Sequence, residues 1–190
     1  GITPLLMPAI NAFKETYPEI SLRLETRVEL AKLEIGEAHV AIRAGQKPKN
    51  PDYVVQLFCN LPFGLYASDT YIRQFGLPSH DQLENHKFVS ISDEHGRYPF
   101  TQWFKSNVKQ EQISIETDDF FALSEAVKAG IGLGFLGQHN AEAAGNLHNV
   151  IPPSSNFGTR IWMVTHVDLH RTLKVQTFTA KLKEHAKHLS

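Results

Sequence analysis

The apolar positions of this chain switch between two periods, and each switch marks an element. Leu5, Leu6, Ala9, Ile10 and Phe13 recur at helical spacing and stop at Tyr17-Pro18, where proline disfavours continuation. Ile20, Leu22 and Leu24 then alternate with Ser21, Arg23 and Glu25, the period of a half-buried strand. Glu29 to Ile35 reads as a second helix ended by Gly36, and His39 to Arg43 as a buried strand bounded by Gly45. After a Pro/Lys/Asn-rich loop the pattern gives two more strands, Tyr53 to Leu57 and Phe63 to Ala67. Such an order is that of an α/β layer on a largely parallel sheet.

From Ser68 the pattern starts again. Asp69 is placed to cap a helix through Phe75, closed by Gly76 and Pro78. A strand from Lys87 to Ile91, a polar loop from Ser92 to Tyr98, a short helix over Thr101 to Ser106 and a strand from Gln112 to Thr117 follow. Asp118 or Asp119 caps a helix reaching Ala129. Ile131 to Leu136 is a strand, Gln138 to Ala144 a helix ended by Gly145, and Leu147 to Ile151 and Arg160 to Thr165 are strands. An amphipathic helix from Thr172 to Leu189 closes the chain. Two similar α/β blocks without a long linker suggest two lobes.

Composition narrows the function classes. The 190 residues are 42% hydrophobic and 21% charged, ordinary for a globular domain. Nineteen basic against twenty acidic residues, net −1, argues against this chain gripping nucleic acid, because phosphate binding rests on a basic surface. Cys59 is the one cysteine, so no intrachain disulfide forms. The apolar run from Pro4 to Ile10 is too short for a membrane span or a secretory signal, so the expected compartment is the cytoplasm.

Several motifs carry less chemistry than their residues suggest. Gly132, Gly134 and Gly137 match GxGxxG, but a helix precedes them and they fall inside a strand, against the strand–turn–helix a dinucleotide needs. A glycine turn plus close strand packing is the alternative. His166 and His170 flank Asp168, and His185 and His188 lie three apart, yet zinc needs three or four convergent ligands. No GxSxG elbow exists, and the Asp118-Asp119 pair reads as a helix cap. The expectation is a protein that is not an enzyme and has no cofactor or metal.

Five segments in order carry a family resemblance. Leu6-Met-Pro-Ala-Ile-Asn-Ala-Phe-Lys-Glu-Thr-Tyr-Pro-Glu-Ile20 with Ser21-Leu-Arg-Leu24, Ala38-His-Val-Ala-Ile-Arg-Ala-Gly45, Leu61-Pro-Phe-Gly-Leu-Tyr-Ala-Ser68, Thr117 to Gly134, and Ile161-Trp-Met-Val-Thr-His166 resemble the effector-binding domain of LysR-type transcriptional regulators. The resemblance implies two Rossmann-like α/β subdomains joined by crossover strands, like a type 2 periplasmic binding protein. Their bounds would be 1–66 with 165–190, and 67–164, with hinges at Tyr66, Ala67, Met163 and Val164. It also implies a small effector in the cleft and a homodimer built from the first helix of one copy and the Asp119 helix of another. DNA would be bound by a winged helix-turn-helix outside this sequence. The chain begins at or just after the family's usual first strand, leaving Thr3 as a remnant of its effector-contacting turn, and His39 stands where aspartate is commonest. A transporter's solute-binding protein of the same fold is the alternative.

Open α/β sheets bring the carboxyl ends of their strands, and helix N-termini, to the ligand. By that rule Thr26, Arg43, Ser92 and Thr117 are polar candidates, with Asp119 at its helix start. Pro99, Phe100, Phe120 and Phe135 would supply apolar walls. Arg43 is the expected partner of an anionic effector, its competing role being a salt bridge at the sheet edge.

Overall fold

A computed structural model describes residues 2–25, 31–94 and 96–187. Helix α1, Thr3–Thr16, starts with a proline in its first turn and buries Leu6, Ala9 and Phe13. Residues 21–25, expected as a strand, are irregular. Leu22 and Leu24 stay 39% and 54% exposed, so the alternation meets no covering layer that would fix it as a strand. Of the helix expected over 29–35, residues 29 and 30 lie outside the described residues, and Leu33–Ile35 is a single 3-10 turn closed by Gly36 at φ +75°.

Strand β1 is Ala41–Ala44 and β2 is Tyr53–Ser68. The two strands expected over 53–67 are therefore one 16-residue strand that runs through Pro62. Helix α2, Asp69–Phe75, is capped by Ser68, whose Oγ accepts from the Tyr71 N–H at 3.3 Å; Asp69, the expected cap, is its first residue. Strand β3, Phe88–Ile91, precedes α3, Phe100–Asn107. Strand β4, Ile113–Thr117, leads to α4, Phe120–Lys128, capped by Asp119. Then come β5, Gly134–Gly137, and α5, Gln138–Ala144. Strand β6, Leu147–His166, joins the two strands expected at its ends into one of 20 residues, Pro152 and Pro153 included. A short turn of helix, α6, Val167–His170, precedes α7, Leu173–Ala186.

The expected largely parallel sheet is corrected. A four-stranded sheet has the order β1-β6-β2-β5, with β1–β6 and β2–β5 antiparallel, while β3 and β4 form a parallel pair.

The chain divides into two compact units, Leu61–Thr159 and Ile2–Asn60 with Arg160–Ser190. It passes from one to the other within β2 and again within β6. In the second unit Phe13 of α1 meets Phe178 of α7 edge-on, centroids 5.2 Å apart, and Leu33, Trp162 and Val164 pack beneath Tyr53 and Val55. In the first unit Phe88, Leu123, Val127, Leu133, Phe135 and Leu136 are almost wholly buried. The GxGxxG glycines serve this packing. A Cβ on Gly132 would stand 2.9 Å from the Lys87 carbonyl, and one on Gly134 2.5 Å from a Val127 methyl carbon.

Candidate functional site

In the unit Leu61–Thr159, β3 and β4 run parallel with Ile91 beside Thr117, so both strands present their carboxyl ends together. The Ser92 N–H donates to the Thr117 carbonyl at 2.8 Å, extending the ladder one step past the strands. Thr117 Oγ1 accepts from the Asp119 N–H at 3.1 Å, and Asp119 Oδ1 accepts from the Phe121 N–H at 2.9 Å. The Asp119 carboxylate thus satisfies the first turn of α4. These are the residues that start α4 beside Ser92.

The loop from β3 to α3 is held by one buried carboxylate. Asp93, whose side chain is 2% exposed, accepts from the Arg97 N–H at 2.9 Å and the Tyr98 N–H at 2.8 Å. Thr159 of β6 donates its hydroxyl to the Arg97 carbonyl at 2.7 Å. That bracing aims Tyr98 and Phe100 at Phe120 and Phe63. Tyr98 meets Phe120 edge-on at 4.6 Å, Phe63 lies 5.0 Å from Phe100, and Phe100 stacks on Phe135 at 5.0 Å with planes 10° apart. Burial pushes the Tyr98 phenol up, against the pull of Arg97 and with Asp93 adding to the rise.

Arg43 belongs to the other unit and to the edge strand β1. Its Nη2 donates to the Ala31 carbonyl at 2.9 Å and its guanidinium lies 5.2 Å from the centre of the Tyr53 ring. The Tyr53 hydroxyl in turn donates to Glu34 at 2.7 Å. Burial, and then this bond to Glu34, raise the Tyr53 phenol; the backbone and Tyr53 bonds lower the Glu34 carboxyl. Among the described residues two buried side-chain donors lack a hydrogen-bond acceptor, and both are arginine Nε, at Arg43 and Arg97.

The structure therefore gathers Ser92, Thr117, Asp119, Phe100, Phe120 and Phe135 within one unit, with Pro99 at the start of α3. Thr3, the first residue of α1, and Arg43 belong to the other unit, and Thr26 lies outside the described residues. Tyr66 and Ala67 are buried in β2, and Met163 and Val164 are buried in β6 opposite Ile42 and Ala41. The unit boundary crosses β2 between Asn60 and Leu61 and β6 between Thr159 and Arg160. Sequence reasoning missed Phe63, Arg97 and Tyr98. The Tyr98-Pro99-Phe100 run flanking a helix start was the available signal, hidden by the polar loop before it.

No three of the described His, Cys, Asp and Glu residues come together as a metal-binding group, and no helix among the described residues is long and apolar enough to cross a membrane. Cys59 is buried and its thiol is pushed up to about 11 by that burial, which leaves it unreactive at neutral pH.

The chain is 30% identical over 140 residues to an HTH-type transcriptional regulator of Xanthomonas campestris pv. campestris, covering 70% of this chain and 40% of that protein. An HTH-type transcriptional repressor of Pseudomonas aeruginosa is 26% identical, with 68% of this chain and 42% of that protein covered. The chain thus spans about two fifths of these relatives. Among solved structures, the regulatory domain of CrgA, a LysR-type transcriptional regulator from Neisseria meningitidis, superposes with TM-score 0.76 at 20% identity, covering 96% of this chain and 92% of that one. The fold is that of LysR regulatory domains, mixed α/β with the two-subdomain architecture of a type 2 periplasmic binding protein. Residues 2–187 match the LysR substrate binding domain, and the chain belongs to that family.

Proposed function

We propose that this chain is the ligand-sensing part of a LysR-type transcriptional regulator and that its effector is a small anion held by Arg43. The observation that carries the reading is the buried Arg43 Nε without an acceptor, beside a guanidinium already fixed by Tyr53 and the Ala31 carbonyl. A donor left unmet in a half-buried guanidinium is costly, and a carboxylate placed beside the group pairs its charge. Tyr66, Ala67, Met163 and Val164 take up the change in the strands when the domain responds. The protein binds its effector without transforming it. DNA recognition belongs to a helix-turn-helix domain outside this sequence, and the regulator works in the cytoplasm as a homodimer.

A thermal-shift screen of small carboxylates, amino acids and their amides tests this. Carboxylates raise the melting temperature and their amides do not. In Arg43→Gln the rise disappears, and in Arg43→Lys it shrinks, because lysine keeps the charge but loses the planar fork. Equal rises in wild type and Arg43→Gln overturn the role of Arg43.

A further inference from the structure

Arg97 has no part in the anion site proposed at Arg43. Its Nε is buried without an acceptor and stands 3.7 Å from Asp93 Oδ1, too far for a hydrogen bond, and both Asp93 oxygens are already taken by backbone N–H groups. Asp93 therefore orients this arginine without quenching it as a donor. The guanidinium lies 5.4 Å from the centre of the Tyr98 ring, and its side chain keeps 32% exposure. Next to it the Tyr98 ring stands at 70° to Phe120, and both residues remain half-buried. Phe63 and Phe100, each 5% exposed or less, back these two rings, and the buried Phe135 stacks behind Phe100, so the pair is held from behind. Rigid rings presented beside a cation with an open donor make a surface of definite chemistry. A flat ring gains stacking or edge-to-face contact there, and a carboxylate on it pairs with the exposed part of the Arg97 guanidinium.

We infer that Arg97, Tyr98 and Phe120 form a recognition surface for an aromatic carboxylate, which makes the effector a ring acid rather than an aliphatic one. The inference rests on the ligand-sensing reading above and gives the chemical class of ligand that the unit Leu61–Thr159 takes by itself. Aliphatic acids leave the two ring faces with nothing better than water, and uncharged aromatics add no charge partner to the exposed guanidinium of Arg97.

The test is calorimetric titration of the 190-residue chain with benzoate, phenylacetate and 2-naphthoate, against cyclohexanecarboxylate and benzamide. At least one of the aromatic carboxylates binds ten-fold or more tightly than both controls. Arg97→Gln removes the preference over benzamide, and Tyr98→Leu removes the preference over cyclohexanecarboxylate. Tyr98→Phe keeps the ring, binds as wild type, and shows that the position tolerates substitution. Cyclohexanecarboxylate binding as tightly as its aromatic counterpart overturns the inference, as does unchanged aromatic binding in Arg97→Gln and Tyr98→Leu. Silence from all three ring acids overturns it as well. If the broader screen then finds an aliphatic anion whose binding is lost in Arg43→Gln, the ligand-sensing reading stands and only the ring-acid class fails.

Discussion

The Lys87 N–H donates to the Tyr71 hydroxyl at 3.1 Å, so the hydroxyl turns its own hydrogen towards His86 Nδ1, 2.9 Å away. This arrangement wants His86 neutral, with its proton on Nε2. Burial holds the imidazole below its ordinary value of 6.5, the nearby Glu84 pulling weakly the other way. Because the folded value lies below the unfolded one, the unfolded chain takes up the proton first. The stabilisation is therefore complete above about pH 6.5 and is lost as pH falls through the folded value. Melting temperatures measured from pH 8 to pH 5 should drop on the acid side in wild type, and His86→Gln should flatten that limb. An acid limb of equal slope in the variant would place the proton uptake elsewhere. The same neighbourhood shows how one buried amide organises a loop: Gln112 Nε2 donates to the carbonyls of Leu83, Glu84 and His86 at 2.8 to 3.2 Å. Nothing in the pattern around Gln112 marked it, since glutamine in a polar stretch reads as solvated until the chain around it is placed.

Elements that obey a local rule were legible, and those set by a partner were not. Helix α1 ends where Tyr17-Pro18 forbids continuation, and α4 starts where Asp119 caps it, both consequences of neighbours in sequence. The long strands were misread as pairs because Pro62, Pro152 and Pro153 look like breaks. Residues 21–25 failed in the opposite sense: perfect alternation, and no ladder. In the candidate site, Phe100, Phe120 and Phe135 were visible as large apolar residues near helix starts and strand ends, whereas Phe63 comes from a distant strand and only the fold brings it there. One consequence for β2 is measurable. A Cβ on Gly64 would lie 2.8 Å from the Ile151 carbonyl oxygen and 2.9 Å from Pro153 N, both backbone atoms that cannot rotate away. Gly64→Ala should cost about 1–3 kcal/mol, as overpacking does. In a chain of this length that is a fall of roughly 2–12 °C in melting temperature. A fall within error would mean the two strands part easily at this point.

For the molecule as a whole, the balance of 19 basic and 20 acidic residues lacks the basic surplus that phosphate binding needs, in keeping with the proposed sensing role. The proposed homodimer belongs to this scale. It is supported by apolar residues left in the open on the two helices assigned to it, Met7 on α1 at 39% and Phe121 on α4 at 73%. Light scattering after size exclusion should give twice the 21.4 kDa chain mass, and Phe121→Asp should halve it. A wild-type chain that stays monomeric at high concentration removes the proposal. The path of the chain has a further consequence. The unit Leu61–Thr159 is one uninterrupted stretch, entered and left inside strands, whereas the other unit is made of two pieces. In genetic terms the first is a cassette set into a host: a single insertion or exchange moves Arg97, Tyr98 and Phe120 together and leaves Arg43 behind. The proposed ring-acid surface would therefore be inherited as one piece, whatever becomes of Arg43.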